Sequence, residues 1–279
     1  MKKLTLGLIT LVMMTISCEK EEDSFNDLEI KQMFEESAKL HTEAMDVILA
    51  SLYSSSISKD EISPFIEKTA SDFLESNDCL NNHNIPKQKI FVEECTKLKD
   101  FYNQKSKNAI SSDLEYLKYT ISLYGDLLSN NQKIILNKID SLLSDCSSSE
   151  VIISELTNIK DVLALKLPAE ERLVIYSATT IGIESVSYWK NNIDSWTRAI
   201  EVNSKGMISF NNKTKWFNWT ECGKSDVAGA IGGAIAGGLV GAVAGGVGAA
   251  PGAVTGFVAG GIGSSVTDAA FQIIDHIFN

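Results

Sequence analysis

"AIGGAIAGGLVGAVAGGVGAAPGAVTGFVAGGIG", from Ala230 to Gly263, is the stretch on which the fold of this chain turns. Of the 19 glycines in the sequence, 14 lie between Asp226 and Gly263. In a helix interior each glycine costs roughly 0.8–1 kcal/mol relative to alanine, so a lone helix carrying them would lose on the order of 11–14 kcal/mol. That loss is comparable with the stability of a whole domain. A flexible linker would instead carry serine or charge, and its glycines would be unordered. Here they are ordered. Gly229, Gly233, Gly237, Gly241 and Gly245 recur every four residues, and after a shift of three so do Gly248, Gly252, Gly256 and Gly260. Val227, Ile231, Ile235, Leu239, Val243 and Val247 repeat at the same interval, two residues off the first row. Two residues are about 200° around a helix, so a smooth glycine face opposes a bulky one. A smooth row lets two backbones approach closely and gain dispersion and weak Cα–H···O contacts along the crossing.

Asp226 and Asp268 bracket 41 residues without one charge. A single straight helix of that length would be about 60 Å long, twice the hydrocarbon thickness of a bilayer. A bend is therefore expected in the Gly248–Gly252 region, which contains Pro251, giving a hairpin of two helices of about 20 residues each. The bend, GVGAAPGA, is apolar, so such a hairpin could enter a bilayer tip first. Lysines and aromatics precede it: Lys213, Lys215, Trp216, Phe217 and Trp219 stand where an interfacial belt would sit. The last helix is expected over Val266 to Phe278.

Upstream, from Ser24 to about Asn203, the pattern is helical. Phe34, Ala38, His41, Met45, Ile48 and Leu52 form one stripe of a long first helix. Leu114, Leu117, Ile121, Tyr124 and Leu128 alternate threes and fours, a seam suited to antiparallel packing. Ser58…Glu61, Ser112…Glu115 and Ser147…Glu150 have the spacing of capping boxes, and Pro168 suits the first turn of a further long helix. In that helix Ala178, Gly182 and Ser185 form a small-residue row, a dock for the glycine tract. His41 reads as a core histidine, and the paired glutamates read as solvated helix faces. No nucleophile elbow, phosphate loop or dinucleotide fingerprint is present, and the glycine tract follows no strand. The sequence calls for no enzyme activity and no cofactor.

The chain opens MKKLTLGLITLVMMTISCEKEEDS. Two lysines precede an uncharged run, Leu4 to Ile16, that is too short for a membrane span and of the length of a signal-peptide core. The formal charge is −11, and removal of Lys2 and Lys3 leaves −13. With no basic cluster, the acidic chain is a poor match for nucleic acid or anionic headgroups. Besides Cys18 there are Cys79, Cys95, Cys146 and Cys222; in an exported chain four cysteines permit two disulfides, with the pairing open. Their spacing, and that of the three histidines, suggests no metal site.

Ser17-Cys18 followed by acidic residues resembles a bacterial lipoprotein signal, with Thr15 where leucine is usual. The resemblance implies that Cys18 becomes the first mature residue and carries the lipid. Lys20-Glu21-Glu22 resembles the surface-export signal of Bacteroidetes-type lipoproteins. The glycine tract, over residues 226–265, resembles the glycine-zipper outer-membrane lipoproteins of the rickettsial surface-antigen type, which implies a membrane-associated hairpin and an envelope role.

The expected organisation is all-α: signal peptide 1–17, acidic tether 18–25, helical bundle 26–203, aromatic connector 204–225, and glycine-zipper hairpin with terminal helix 226–279. The leading expectation is a lipid-anchored outer-membrane or cell-surface protein whose hairpin packs in or against a membrane. One alternative is a bacteriocin-like or pore-forming protein whose bundle shields the hairpin until it enters a target membrane. The other is a soluble binding module with a tightly packed hairpin. Membrane lipid is the expected partner, and the glycine faces also admit self-association.

Overall fold

The computed structural model describes residues 26–55, 57–77, 80, 85–111, 113–145, 148–203, 218–243 and 248–278. The fold is all-α, and among the described residues there are nine α-helices and no strand. They are α1 (Asp27–Ser54), α2 (Ile62–Ser76), α3 (Lys87–Ser106), α4 (Tyr116–Leu123), α5 (Asn130–Asp145), α6 (Ser149–Asn158), α7 (Ala169–Asn203), α8 (Trp219–Val243) and α9 (Ala249–Phe278). A π-helical turn over Ile159–Leu163 and a 3-10 turn over Ala164–Lys166 join α6 to α7.

The first helix starts on a reciprocal cap. Asn26 Oδ1 accepts from the Glu29 amide at 3.0 Å, and Glu29 Oε2 accepts from the Asn26 amide at 3.0 Å. Its expected stripe is buried from Phe34 to Leu52. At Ser58 only half a box forms: the Ser58 amide and hydroxyl donate to Glu61 at 3.0 and 2.6 Å, over a 3-10 turn. Ser112 and Ser147 lie outside the described residues. The seam from Leu114 to Leu128 is not one helix. It stops at Leu123, the chain turns through Tyr124 and Gly125, and α5 begins at Asn130. The spacing persists because Leu117, Ile121 and Leu128 are all buried on either side of the turn.

The hairpin is α8 and α9, and it lies in the middle of the bundle rather than beside it. Helix α7 runs along α8, α3 along α9, and α1 and α2 also pack on α9. The hairpin differs from expectation at three boundaries. Its first arm starts at Trp219, inside the expected connector, because the Asn218 side chain accepts from the Thr220 and Glu221 amides and caps the helix there. Helix α8 ends at Val243 and α9 begins at Ala249, so Pro251 sits in the first turn of α9, where its missing N–H is no loss. The terminal helix is the unbroken continuation of α9 to Phe278.

Contacts fix the two ends of this bundle. At the base, Asp226 meets His41 and Trp189, and Gly223 meets Ser185, Val186 and Leu143. Nearer the tip, the Phe34 ring is 4.9 Å from Phe257, and Tyr176 donates to Asp27 at 2.9 Å. The first turns of α1 and α7 therefore point towards the hairpin tip. So does that of α5, whose Ser129 and Gln132 bond to Glu171 at 2.7 and 2.9 Å.

Candidate functional site

The glycine rows of α8 and α9 face each other in one antiparallel register. Gly229 meets Gly260, Gly233 meets Gly256, Gly237 meets Gly252, and Gly241 meets Gly248. A Cβ placed on Gly229, Gly233, Gly237 or Gly241 would lie 2.3, 2.0, 2.0 or 1.9 Å from the opposing carbonyl oxygen. On Gly248, Gly252, Gly256 and Gly260 the same distances are 2.6, 2.3, 2.0 and 2.1 Å. Every described member of the two rows is thus closed to any side chain, and backbone packs on backbone. Gly245 lies outside the described residues. The faces on which self-association was expected are occupied within the chain.

The glycines off these rows admit the bundle. The Glu94 carboxylate of α3 sits over Gly232, 2.6 Å from where a Cβ would be. A Cβ on Gly261 would lie 3.2 Å from Ile181 of α7, and one on Gly263 would lie 2.9 Å from the Phe91 carbonyl oxygen of α3. The small row on α7 also meets the hairpin: a Cβ on Gly182 would lie 3.2 Å from the Val227 side chain.

Both carboxylates that bracket the uncharged tract are buried. Asp226 Oδ2 is 3.4 Å from His41 Nε2 and accepts from Trp189 Nε1 at 3.3 Å, while Asp226 Oδ1 and the ring nitrogens of His41 make no well-formed hydrogen bond. Asp268 accepts from Tyr102, from the Cys222 thiol at 2.9 Å and from Gln272 at 2.8 Å. Burial pushes the Asp268 carboxyl above the usual range, against the lowering effect of those three donors. Burial likewise raises Glu94, opposed by Lys97 at 2.5 Å. Lys224, inside the first arm, is buried with Glu115 at 2.6 Å and Glu221 at 3.3 Å. These polar contacts tie the hairpin base to α1, α3 and α7 and to Glu115 at the start of α4. Sequence reading took the two aspartates only as the limits of a tract. No lysine or arginine follows Lys224 in the sequence, so Asp268 has no such partner near it along the chain, and that was the one available hint.

Cys95 and Cys222 are free thiols, so no disulfide joins either of them, contrary to one open expectation. Cys95 donates to the Gly263 carbonyl at 3.4 Å, and burial pushes its thiol up to about 12. Cys18, Cys79, Cys146, Trp216 and Phe217 lie outside the described residues; Trp219, at the start of α8, is partly buried against the core.

The bulky row of α8 changes surroundings along its length. Val227 and Ile231 are buried in the bundle, Leu239 is exposed, and Val243 is 86 % exposed. Helix α8 is long and apolar enough to cross a membrane, and two-thirds of its most apolar window is buried inside the protein. Among the described residues no group of three histidines, cysteines or carboxylates could hold a metal ion. No protein-family model matches the chain, nor does any curated protein or solved structure.

Proposed function

We propose that the chain is an exported protein, anchored through Cys18 at the outer membrane or cell surface, whose bundle sheathes a glycine-zipper hairpin until the hairpin enters a bilayer. This places it in the membrane-active, pore-former-like class, and assigns it no catalytic role. One observation carries the reading. The two arms are joined by their own glycine backbone, so their contact needs nothing from the surrounding helices. Each arm of about 20 uncharged residues is about 30 Å long, the thickness of a hydrocarbon core. A second reading, in which the hairpin stays for good as the core of an anchored envelope protein, is favoured by the polar ties at Asp226 and Asp268.

A staple separates the two. Ile181→Cys with Gly261→Cys would link α7 to α9, because a Cβ on Gly261 would lie 3.2 Å from the Ile181 Cγ1, about where a cysteine sulfur would stand. The mature chain with Cys18→Ser is added to dye-loaded phosphatidylethanolamine–phosphatidylcholine vesicles. Release by the reduced form that stops on oxidation is expected. No release from either form, or equal release from both, overturns the proposal.

A further inference from the structure

Exposed apolar side chains are gathered at one end of this molecule. Of the 13 large hydrophobic residues exposed to solvent among the described residues, 8 lie at the tip end of the bundle. Three belong to the hairpin itself: Leu239, Val240 and Val243. The others come from separate elements. Leu28, 72 % exposed, is in the first turn of α1, and Ile134, 67 % exposed, is in the second turn of α5. Leu127 lies just before α5, and Val162 and Leu165 lie in the π and 3-10 turns that lead into α7.

Their common location follows from contacts already described and two more. Lys31 and Glu35 of α1 pair with Asp161 and Lys160 at 2.6 and 2.5 Å, which sets the π turn beside the first turns of α1. Arg172 bonds to the Leu165 and Leu167 carbonyls at 3.2 and 2.9 Å and to Asp27 at 2.8 Å, which gathers the starts of α1 and α7. Single exposed apolar residues are ordinary on any surface, but a group drawn from five chain segments onto one end is a surface for contact.

We infer that this end is a membrane-docking face, and that its partner is the hydrocarbon–headgroup boundary of a lipid bilayer. Three observations choose lipid. The hairpin brings no charge to this end between Asp226 and Asp268. Three cations near the rim are paired with acids, Lys31 with Asp161, Lys160 with Glu35 and Arg172 with Asp27, and Lys133 and Lys166 are balanced in number by the exposed Glu29, Asp126 and Glu170, so the face offers apolar contact rather than a basic patch. And Asn26, which caps α1 here, is eight residues beyond Cys18, so a lipid on Cys18 lies at most about 29 Å from this face. The anchor and the apolar face are then at the same end of the bundle. The inference deepens the proposed function by naming its partner surface, yet docking needs no release of the hairpin.

The test uses the mature chain with Cys18→Ser, so that no acyl chain can carry it, and with the oxidised Ile181→Cys/Gly261→Cys staple, so that the hairpin stays in the bundle. Flotation with zwitterionic phosphatidylcholine vesicles is measured at low and at 0.5 M salt. Binding at both salt concentrations is expected. Ile134→Glu with Leu165→Glu should reduce partitioning by about tenfold or more, since burial of one such side chain is worth that much. Val92→Glu with Val151→Glu, equally exposed but away from this end, should bind as the parent does. All four positions are on the surface, so thermal melts should agree. A stapled chain that does not float, rim variants that float as well as the parent, or a dimer dissolved by the rim charges in place of vesicle binding would each overturn the docking face. Dye release from the unstapled chain judges the hairpin proposal separately.

Discussion

Gly237 and Gly238 are neighbours in one helix, and the structure assigns them opposite responses to a single methyl group. Replacing either by alanine gains about 1 kcal/mol of helix propensity. At Gly238 the new Cβ would be 3.6 Å from the Ala253 Cβ and 3.7 Å from the Ala249 carbonyl, which is ordinary contact. Gly238→Ala should therefore stabilise the protein by about 0.5–1 kcal/mol. At Gly237 the Cβ would be 2.0 Å from the Gly252 carbonyl oxygen and 3.0 Å from the Gly256 Cα. Those atoms belong to helix backbone and cannot rotate away, so the arms must part by about 1 Å or more. Parting them loosens the Gly233–Gly256 and Gly241–Gly248 contacts on either side. Overpacking of this kind costs about 1–3 kcal/mol and sometimes more; with two rigid backbones the cost belongs at the upper end, leaving a net loss of about 2 kcal/mol. The neighbours should thus differ by about 3 kcal/mol, or roughly 6–12 °C in Tm for a chain of this size. Thermal and urea unfolding followed by circular dichroism at 222 nm would measure it. Two variants that shift together, or a Gly237→Ala protein as stable as its parent, would refute the backbone-on-backbone register.

Two further predictions concern the hairpin base. The His41 and Asp226 side chains face each other at 3.4 Å with no solvent exposure, so His41→Gln and Asp226→Asn should each cost about 1–3 kcal/mol. In the double variant the two losses should fall short of their sum by about 1 kcal/mol or more; strict additivity would show that the pair does not act as one contact. At Asp268, burial raises the carboxyl above its ordinary range. The folded chain therefore holds that proton more tightly than the unfolded chain. The group opposes folding at neutral pH, and the opposition fades as pH falls through the raised folded value towards the ordinary carboxylate range. Asp268→Asn keeps an acceptor for Tyr102 and removes the titration. Its stability relative to the parent should be most favourable near pH 7 and should decline in acid, by urea unfolding at stepped pH. A difference that is flat, or that grows in acid, would contradict the burial of an ionisable Asp268.

The zipper was legible because nothing substitutes for glycine where two backbones touch. A row of four-residue spacing is the direct imprint of the crossing, and the structure places each described member opposite another glycine. The stripe from Phe34 to Leu52 was legible for the same kind of reason, one face buried along one unbroken helix. Periodicity reports burial and not continuity, so the seam through Leu117, Ile121 and Leu128 hid the turn at Tyr124–Ser129. Of the surroundings of the hairpin, only the small row of α7 was legible. Two rows of glycine and apolar residues suit lipid and a protein core alike, because each removes the bulky face from water. What decides between them here is the approach of α1, α3 and α7, whose residues Glu94, Phe91, Ile181 and His41 lie far along the chain from the glycines and acids they meet. The bland reading of His41 as a core residue agrees with its full burial, but its partner Asp226 came from outside any local pattern.

The division of labour among the glycines bears on how a sheathed hairpin could change solvent. In the rows, each contact lies between the arms and excludes both side chains and water, so its energy is the same whether the outer faces touch protein or acyl chains. The bulky row exchanges one apolar neighbour for another, and for dispersion the two are nearly equivalent. Neither term therefore holds the hairpin in the bundle. The specific contacts that exist only in the sheathed state include those at Gly232, Gly261 and Gly263, where Glu94, Ile181 and Phe91 press on the hairpin, and the polar ties of Asp226, Asp268 and Lys224. Each polar tie leaves a buried group unpaired when broken, at about 1–3 kcal/mol, and all of them lie at the base end, opposite the apolar end face. On the proposed function, the resistance to release is thus concentrated away from the membrane, and the tip that leads into the bilayer is the part of the hairpin with the fewest ties to the bundle.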